Sequence, residues 1–485
     1  MSRQRGYESL DHGSAVRVKR APGRLTPVRA ATYHRLQSRT DSRYAMPKGG
    51  AAMTSLIRGL SVVLAALLLL SGVTTPAGAQ KPKVRVWLLR TYVPDANHAL
   101  EDSIKRWATA KGVDPVIEYF TFDDIETKYV AAIETNALPD VGQLQTIGPA
   151  RYRGMGKLTD LTDLANELVR ANGPMLESAL PVVRAPDGRY HAVPFNYITD
   201  MQFVRTDVFR KAGVKVPTTW EEVREASRVI KAKGVMEYPL GQSWNRSADG
   251  YGVFQALLYS HGGGWADEQG NYTSIMNDTW RAVVRWASEI YLKDKTVPPD
   301  AMSWTGFGNN EAFLTGKVAF TFNGPSIYYV LEKENRPILK DTLMAVKPAG
   351  PAGRNHDVLL LSWTVFTTSK QPELARDLIR FVMSSDEAKK YMHASWGQMV
   401  PAFERLRADP YWQKNESYRA VLEAPKYART PGWPGPLTAA AAEVVATNVL
   451  TDLCARVIVD GWDIERALEE ADKRIRDIYA NVPAR

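Results

Sequence analysis

The 485-residue chain has a single cysteine, Cys454, so no disulfide can form within it. Its neighbours Val449, Leu450, Leu453, Val457 and Ile458 suit a buried helix face, where a thiol packs rather than reacts. Histidine is also scarce. Beyond residue 79 only His98, His191, His261, His356 and His393 remain, scattered and without paired ligand spacing, so neither a metal nor a cofactor is expected. No G-x-x-x-x-G-K-[ST] loop is present, which removes nucleotide hydrolysis from the chain itself. His261-Gly262-Gly263-Gly264 imitates an esterase oxyanion motif, but no G-x-S-x-G nucleophile elbow follows it. It reads as a glycine-rich helix terminus.

Most of the chain also lacks an excess of charge. The formal net charge is +9, yet residues 1–79 hold twelve Lys/Arg against three Asp/Glu and account for all of it. The 50 basic and 50 acidic side chains beyond residue 79 balance, so the body carries no electrostatic footprint for nucleic acid.

Long hydrophobic runs are confined to one place. From Leu56 to Val73 the chain is almost continuously apolar, with Arg58 near its start and Ala77-Gly78-Ala79 just beyond it. A basic residue, a short apolar stretch and an A-x-A site make a secretory signal peptide, expected over 53–79 with cleavage after Ala79. The run is short for a membrane span, and small residues follow it in place of a basic stop. No cysteine follows for lipid attachment, so a free, soluble periplasmic protein is expected. Residues 1–52, Arg- and Ser-rich and without hydrophobic periodicity, read as an unstructured extension or a misassigned start, with Met46 and Met53 as other starts.

Beyond residue 80, strands and helices alternate. Lys83–Leu89 and Pro115–Tyr119 read as strands, separated by a helix from Ala99 to Lys111 that stops at Gly112. A helix over 123–136 and a strand opening at Leu138-Pro139-Asp140-Val141 follow, a pattern that predicts a parallel α/β sheet. A second half begins with strands at 190–194 and 200–204. There Thr219, with Glu222 three residues on, has the spacing of a capping box. Later come helices over 280–291, 309–315, 372–383 and 464–479, and a strand over 318–322.

The order of segments carries a resemblance. KVRVW, ALPDV, Leu158-Thr159-Asp160-Leu161, DGRYHAVP, VFRKAGVKVPTTWEEVREA, EAFLTGKVAFTFNGPS, SKQPELARDLIRFVMSSDEAKKY and DIERALEEADKRI follow one another as in the extracellular solute-binding proteins of the family that includes maltose-binding protein. The mature chain resembles that family over essentially its whole length. The resemblance implies the type II periplasmic-binding-protein fold: two α/β lobes joined by a hinge, with an interlobe ligand cleft. It places lobe 1 at 80–196 and 358–405, and lobe 2 at 197–357 with 406–485 and the C-terminal helices. It further implies a monomer that binds a sugar or polyol without catalysis and hands it to ABC transporter permease subunits in the membrane.

Sugars present apolar C–H faces and a rim of hydroxyls, which suit aromatic platforms ringed by polar side chains. With thirteen Trp and twenty-one Tyr, position within the family's cleft segments has to select among them. Those segments supply Arg90 and Tyr92, Gln143 and Gln145, then Asn196, Tyr197, Thr199 and Asp200 at the crossover. In the second lobe they supply Trp244, Asn245 and Tyr251, then Asn323, Gly324 and Ser326, with Trp363 and Trp433 as further aromatic candidates. Ser326 stands where the maltose-binding relative has an aromatic platform after the proline, which argues against maltose itself. The rival reading is a secreted carbohydrate-active hydrolase, which needs a carboxylate pair at set separation. Asp200 would be one member.

Overall fold

The computed structural model describes residues 81–482, so the expected extension, signal peptide and cleavage site at Ala79 lie outside the described residues. Two sheets organise the chain. The first holds β1 (Lys83–Leu89), β2 (Asp114–Phe120), β3 (Val141–Leu144) and β4 (Val193–Ile198). The second holds β5 (Met201–Arg205), β6 (Leu240–Gly241), β7 (Phe320–Asn323) and β8 (Thr342–Ala345). The chain then returns through β9 (His356–Asp357) to β10 (Leu359–Val365) and β11 (Val400–Pro401), both in the first sheet. A last short strand, β12 (Ala428–Arg429), pairs with β9.

The first sheet has the order β11-β4-β10-β3-β1-β2, and the second β6-β7-β5-β8. Neither is the all-parallel sheet expected from the strand–helix alternation. β1 runs parallel to β2 and β3, but β10 enters antiparallel between β3 and β4. A strand that returns from another lobe is not bound by the βαβ crossover that forces parallel pairing. Its register slips at a bulge between Leu361 and Ser362.

Local chemistry sets the element ends. The helix Pro94–Lys111 starts five residues earlier than its apolar spacing suggests, because Pro94 suits the first turn, where its missing N–H costs nothing. It stops at Gly112, whose φ of 65° accepts the left-handed cap. Thr219 and Glu222 form the reciprocal box: Glu222 N donates to Thr219 Oγ1 at 3.2 Å, and Thr219 N donates to Glu222 Oε2 at 3.2 Å. The His261-Gly262-Gly263-Gly264 run closes the helix Ala248–Ser260, with Gly262 at φ 80°. Cys454 is buried in the helix Val449–Ile458. β4 begins and ends later than the expected 190–194, because Tyr190 is diverted into an isolated bridge with Arg184.

Only Thr199 and Asp200 separate β4 in one sheet from β5 in the other. The first sheet thus keeps Tyr197 and Ile198, two residues beyond the expected boundary. The C-terminal segment is divided as well. The helix Ala439–Ala446 packs against Gly148–Gly154 of the first lobe and also against the terminal helix Ile464–Asn481. Arg151 bonds Glu443 across that contact at 2.8 Å.

Candidate ligand site between the two sheets

Strands of the two sheets end toward a common crevice, the usual position for ligands in α/β architectures. From the first lobe come Tyr92 in the loop after β1, Phe122 and Asp123 after β2, Ile198 at the end of β4, Leu359 at the start of β10, and Gln398. From the second come Asp200, Ala248 and Asp249, Gly306, and Asn323 with Gly324. The walls stand close together and leave a cavity of about 20 Å³ between them.

The lobes meet around this pocket. The rings of Tyr92 and Phe307 lie 4.0 Å apart edge to face, Asp123 Oδ1 accepts from Ala248 N at 3.4 Å, and Asp95 pairs with Lys333 at 2.6 Å. Glycine lets the walls approach: a Cβ at Gly306 would come within 2.7 Å of the Tyr92 hydroxyl. At Gly252 it would come within 2.6 Å of Asp357 Oδ2.

The polar groups fall into two sets. Asp249 occupies the first turn of Ala248–Ser260, behind the Ser247 cap. Its Oδ2 accepts from Asn309 Nδ2 at 2.9 Å and from Asn323 Nδ2 at 3.1 Å. Asn310 and Ser326 lock these amides, with Asn323 Nδ2 donating to Asn310 Oδ1 at 2.7 Å and Asn310 Nδ2 to Ser326 Oγ at 2.9 Å. In the second set Lys347, buried to 1% side-chain exposure, pairs closely with Asp357 and lies 3.8 Å from Asp200. One cation therefore serves two carboxylates, and Asp249 has none.

The titration of these groups follows. Burial pushes Asp200 up to about 6, against the pull of Lys347 and aided by the Asp357 charge. Burial also raises Asp249 well above the usual carboxylate range, and the Asp200 charge adds to it. Burial, with Asp249 and Asp123 adding, also pushes the Tyr92 phenol far up, so it stays a neutral hydroxyl. Gln398 is 2% exposed, and its Oε1 has no hydrogen-bond partner.

Of the residues selected from sequence, Tyr92, Asp200, Asn323 and Gly324 line the pocket together. Gln145 and Tyr251 border an adjoining cavity on the other side of Asp123. Gln145 Nε2 also donates to Phe122 O at 2.7 Å, which fixes the loop that carries Phe122 and Asp123. Ser326 supports Asn323 from behind rather than facing the pocket. Thr199 and Asn196 lie within or beside the crossover, each with a buried side-chain atom lacking a partner.

The others are placed elsewhere. Trp244 and Trp363 have no exposed surface; the Trp244 indole donates inward to Ala287 O at 3.1 Å. Trp433 is half-buried 5.6 Å from the Tyr259 ring and does not line the pocket. Gln143 Oε1 accepts from Leu89 N at 2.8 Å and so ties β1 to β3. Tyr197 shares a hydrogen bond with Ser178 at 2.8 Å inside the first lobe. Arg90 is exposed in a side groove over Tyr119, and Asn245 holds Trp304 O beside a separate surface hollow. Asp123, Asp249 and Gln398 went unselected. The Ser247-x-x-Gly250 cap was the one sequence signal that bears on Asp249, since it places that residue in a helix's first turn.

Comparison with known proteins agrees with this architecture. A Brucella abortus protein named only as a binding protein is 26% identical over 253 residues, or 51% of this chain; the chain spans 60% of that relative's length. The diacetylchitobiose binding protein DasA of Streptomyces coelicolor is 24% identical over 309 residues, covering 62% of this chain and 68% of DasA. The maltose-bound MalE3 of T. maritima superposes with a TM-score of 0.71 at 20% identity, covering 82% of this chain and 99% of that one. The fold is therefore that of the maltose-binding-like type II proteins. The model of the bacterial extracellular solute-binding proteins matches residues 103–420, and the chain belongs to that family.

Proposed function

We propose that the chain is the solute-capturing subunit of an ABC importer, holding a sugar or polyol between its lobes and releasing it to permease subunits in the membrane. One observation carries the reading: a pocket at the strand ends is walled from both sheets by hydrogen-bonding groups, with the Tyr92 ring at its side. Acids and amides fixed in advance suit a rim of hydroxyls, and a ligand touching both walls stabilises the closed arrangement. We assign 80–198 and 358–405 to one lobe and 201–357 to the other, with the crossovers as hinge and the C-terminal 406–485 packed against both. The protein acts as a monomer in the periplasm after cleavage behind Ala79. Binding is reversible, with no bond made or broken.

A thermal-shift screen of the protein against sugars, polyols, sugar phosphates, amino acids and polyamines tests this. A solute at a hundred times its dissociation constant should stabilise by roughly 2.7 kcal/mol and be recovered unchanged. A sugar that is consumed would establish the hydrolase instead. Stabilisation by amino acids alone would overturn the sugar reading.

A further inference from the structure

Resting on that reading, we propose that the strand-end pocket is a cell for one free hydroxyl of the solute. Gln398 of the first lobe and Asp200 of the crossover read that hydroxyl, while the solute's ring occupies the adjoining chamber. Size makes the division. The cell encloses about 20 Å³, room for a group the size of a water molecule and not for a sugar ring. The chamber on the other side of Asp123 offers about 120 Å³ and shares Phe122, Asp123 and Ala248 with the cell as a common wall. Gln145 and Tyr251 border it, so a ring there has an amide and an aromatic face beside it. Only a group on an arm off that ring reaches the cell, which points to a primary hydroxyl.

The chemistry of the walls agrees. Gln398 is 2% exposed, and its side chain is unpartnered among the described residues: Oε1 is buried, and Nε2 is the atom it presents to the cell. Asp200 has Lys347 on the side of Oδ2, at 3.8 Å, which leaves Oδ1 turned the other way. Gly324 keeps the gap open, since a Cβ there would stand 3.9 Å from Asp200 Oδ1 and 4.0 Å from Gln398 Nε2. A donor on one wall and an acceptor on the other suit a hydroxyl, which both accepts and donates. An ammonium cannot accept from Nε2, and a methyl answers neither wall. A phosphate meets the carboxyl groups of Asp123, Asp200 and Asp249. Because the two groups stand on different walls, the hydroxyl that joins them also favours the closed arrangement.

The test is titration calorimetry of the full chain with glucose, galactose, mannose, maltose and cellobiose. Each is compared with its analogues deoxygenated or phosphorylated at the primary hydroxyl of the non-reducing ring. A sugar that binds should lose about 30-fold or more in affinity when that hydroxyl is removed, because a buried donor and acceptor go unpaired. Its phosphate should not bind. In Gln398→Leu the ratio of parent to deoxy affinity should fall to about threefold, since one of the two partners is gone. Gly324→Ala, whose methyl crowds the same cell, is a second variant and should lower the ratio as well. If the deoxy form or the phosphate binds as tightly as the parent, the hydroxyl cell fails while sugar capture stands. A ratio unchanged in both variants has the same meaning. If none of the sugars binds, sugar capture and the cell are overturned together.

Discussion

The interior of the second lobe and the pocket beside it are built from opposite materials. In the lobe, Trp220, Trp244 and Trp286 meet edge to face, with Trp220 and Trp286 5.7 Å apart and Trp244 and Trp286 6.5 Å apart; Phe254 and Phe322 pack against this group. In the pocket a single tyrosine and Phe122 accompany three carboxylates and a set of amides. Tryptophan in this chain is chiefly packing material, and recognition falls to short polar side chains at strand and helix ends. Substitutions on the two sides should therefore separate stability from binding.

The largest effect is expected inside the lobe. Trp244→Ala should cost about 3–5 kcal/mol in urea denaturation, since a fully buried indole leaves a cavity that rigid neighbours cannot fill. If Trp244→Ala instead kept stability and lost only affinity, the division between the regions would fall.

The acidic side responds to pH. The folded Asp200 carboxyl is raised from 3.8 to about 6, so its contribution to stability is fully present below about pH 4 and is lost as pH rises through about 6. The groups that set this are Lys347, which opposes it, and burial with Asp357, which promote it. Thermal melts of the unliganded protein between pH 4 and 7 should show a decline on the order of 2 kcal/mol, flattened in Asp200→Asn.

Trp433 sharpens the boundary. Half-buried on Tyr259 and outside the pocket, its replacement by alanine should cost about 1–2 kcal/mol of stability and leave solute affinity within twofold. Loss of affinity in Trp433→Ala would return an aromatic platform to the site. The smallest effect belongs to Arg90, exposed over Tyr119: Arg90→Ala should change stability by less than about 0.5 kcal/mol and affinity not at all.

The sequence made the frame legible where local chemistry decides it. β1 spans the residues its alternation marks, the capping box at Thr219 forms as spaced, and Pro372 opens its helix. The antiparallel entry of β10 was hidden, because a run such as Leu359–Val365 reads the same in either direction. At the site, residues next to strand ends were legible in part. Asp200 and Asn323 face the pocket from such positions, while Trp244, three residues past β6, turns into the core. Which way a loop side chain turns depends on packing that no periodicity records. Asp123, Asp249 and Gln398 lie as much as 275 residues apart and converge only because two crossovers bring the sheets face to face. Lys347 and Asp357 were illegible for a related reason: Lys347 lies in the loop after β8 and Asp357 in the two-residue β9, and their meaning lies in the cluster they make with Asp200.

The central claim is that solute is gripped between the two sheets, and small-angle X-ray scattering with and without a bound solute tests it most directly. The contacts of Tyr92 with Phe307 and of Asp95 with Lys333 define the closed form. The account predicts that the radius of gyration falls on binding and that the liganded curve matches this closed arrangement. A solute that binds by calorimetry yet leaves the scattering unchanged would contradict it and move the site off the interlobe pocket.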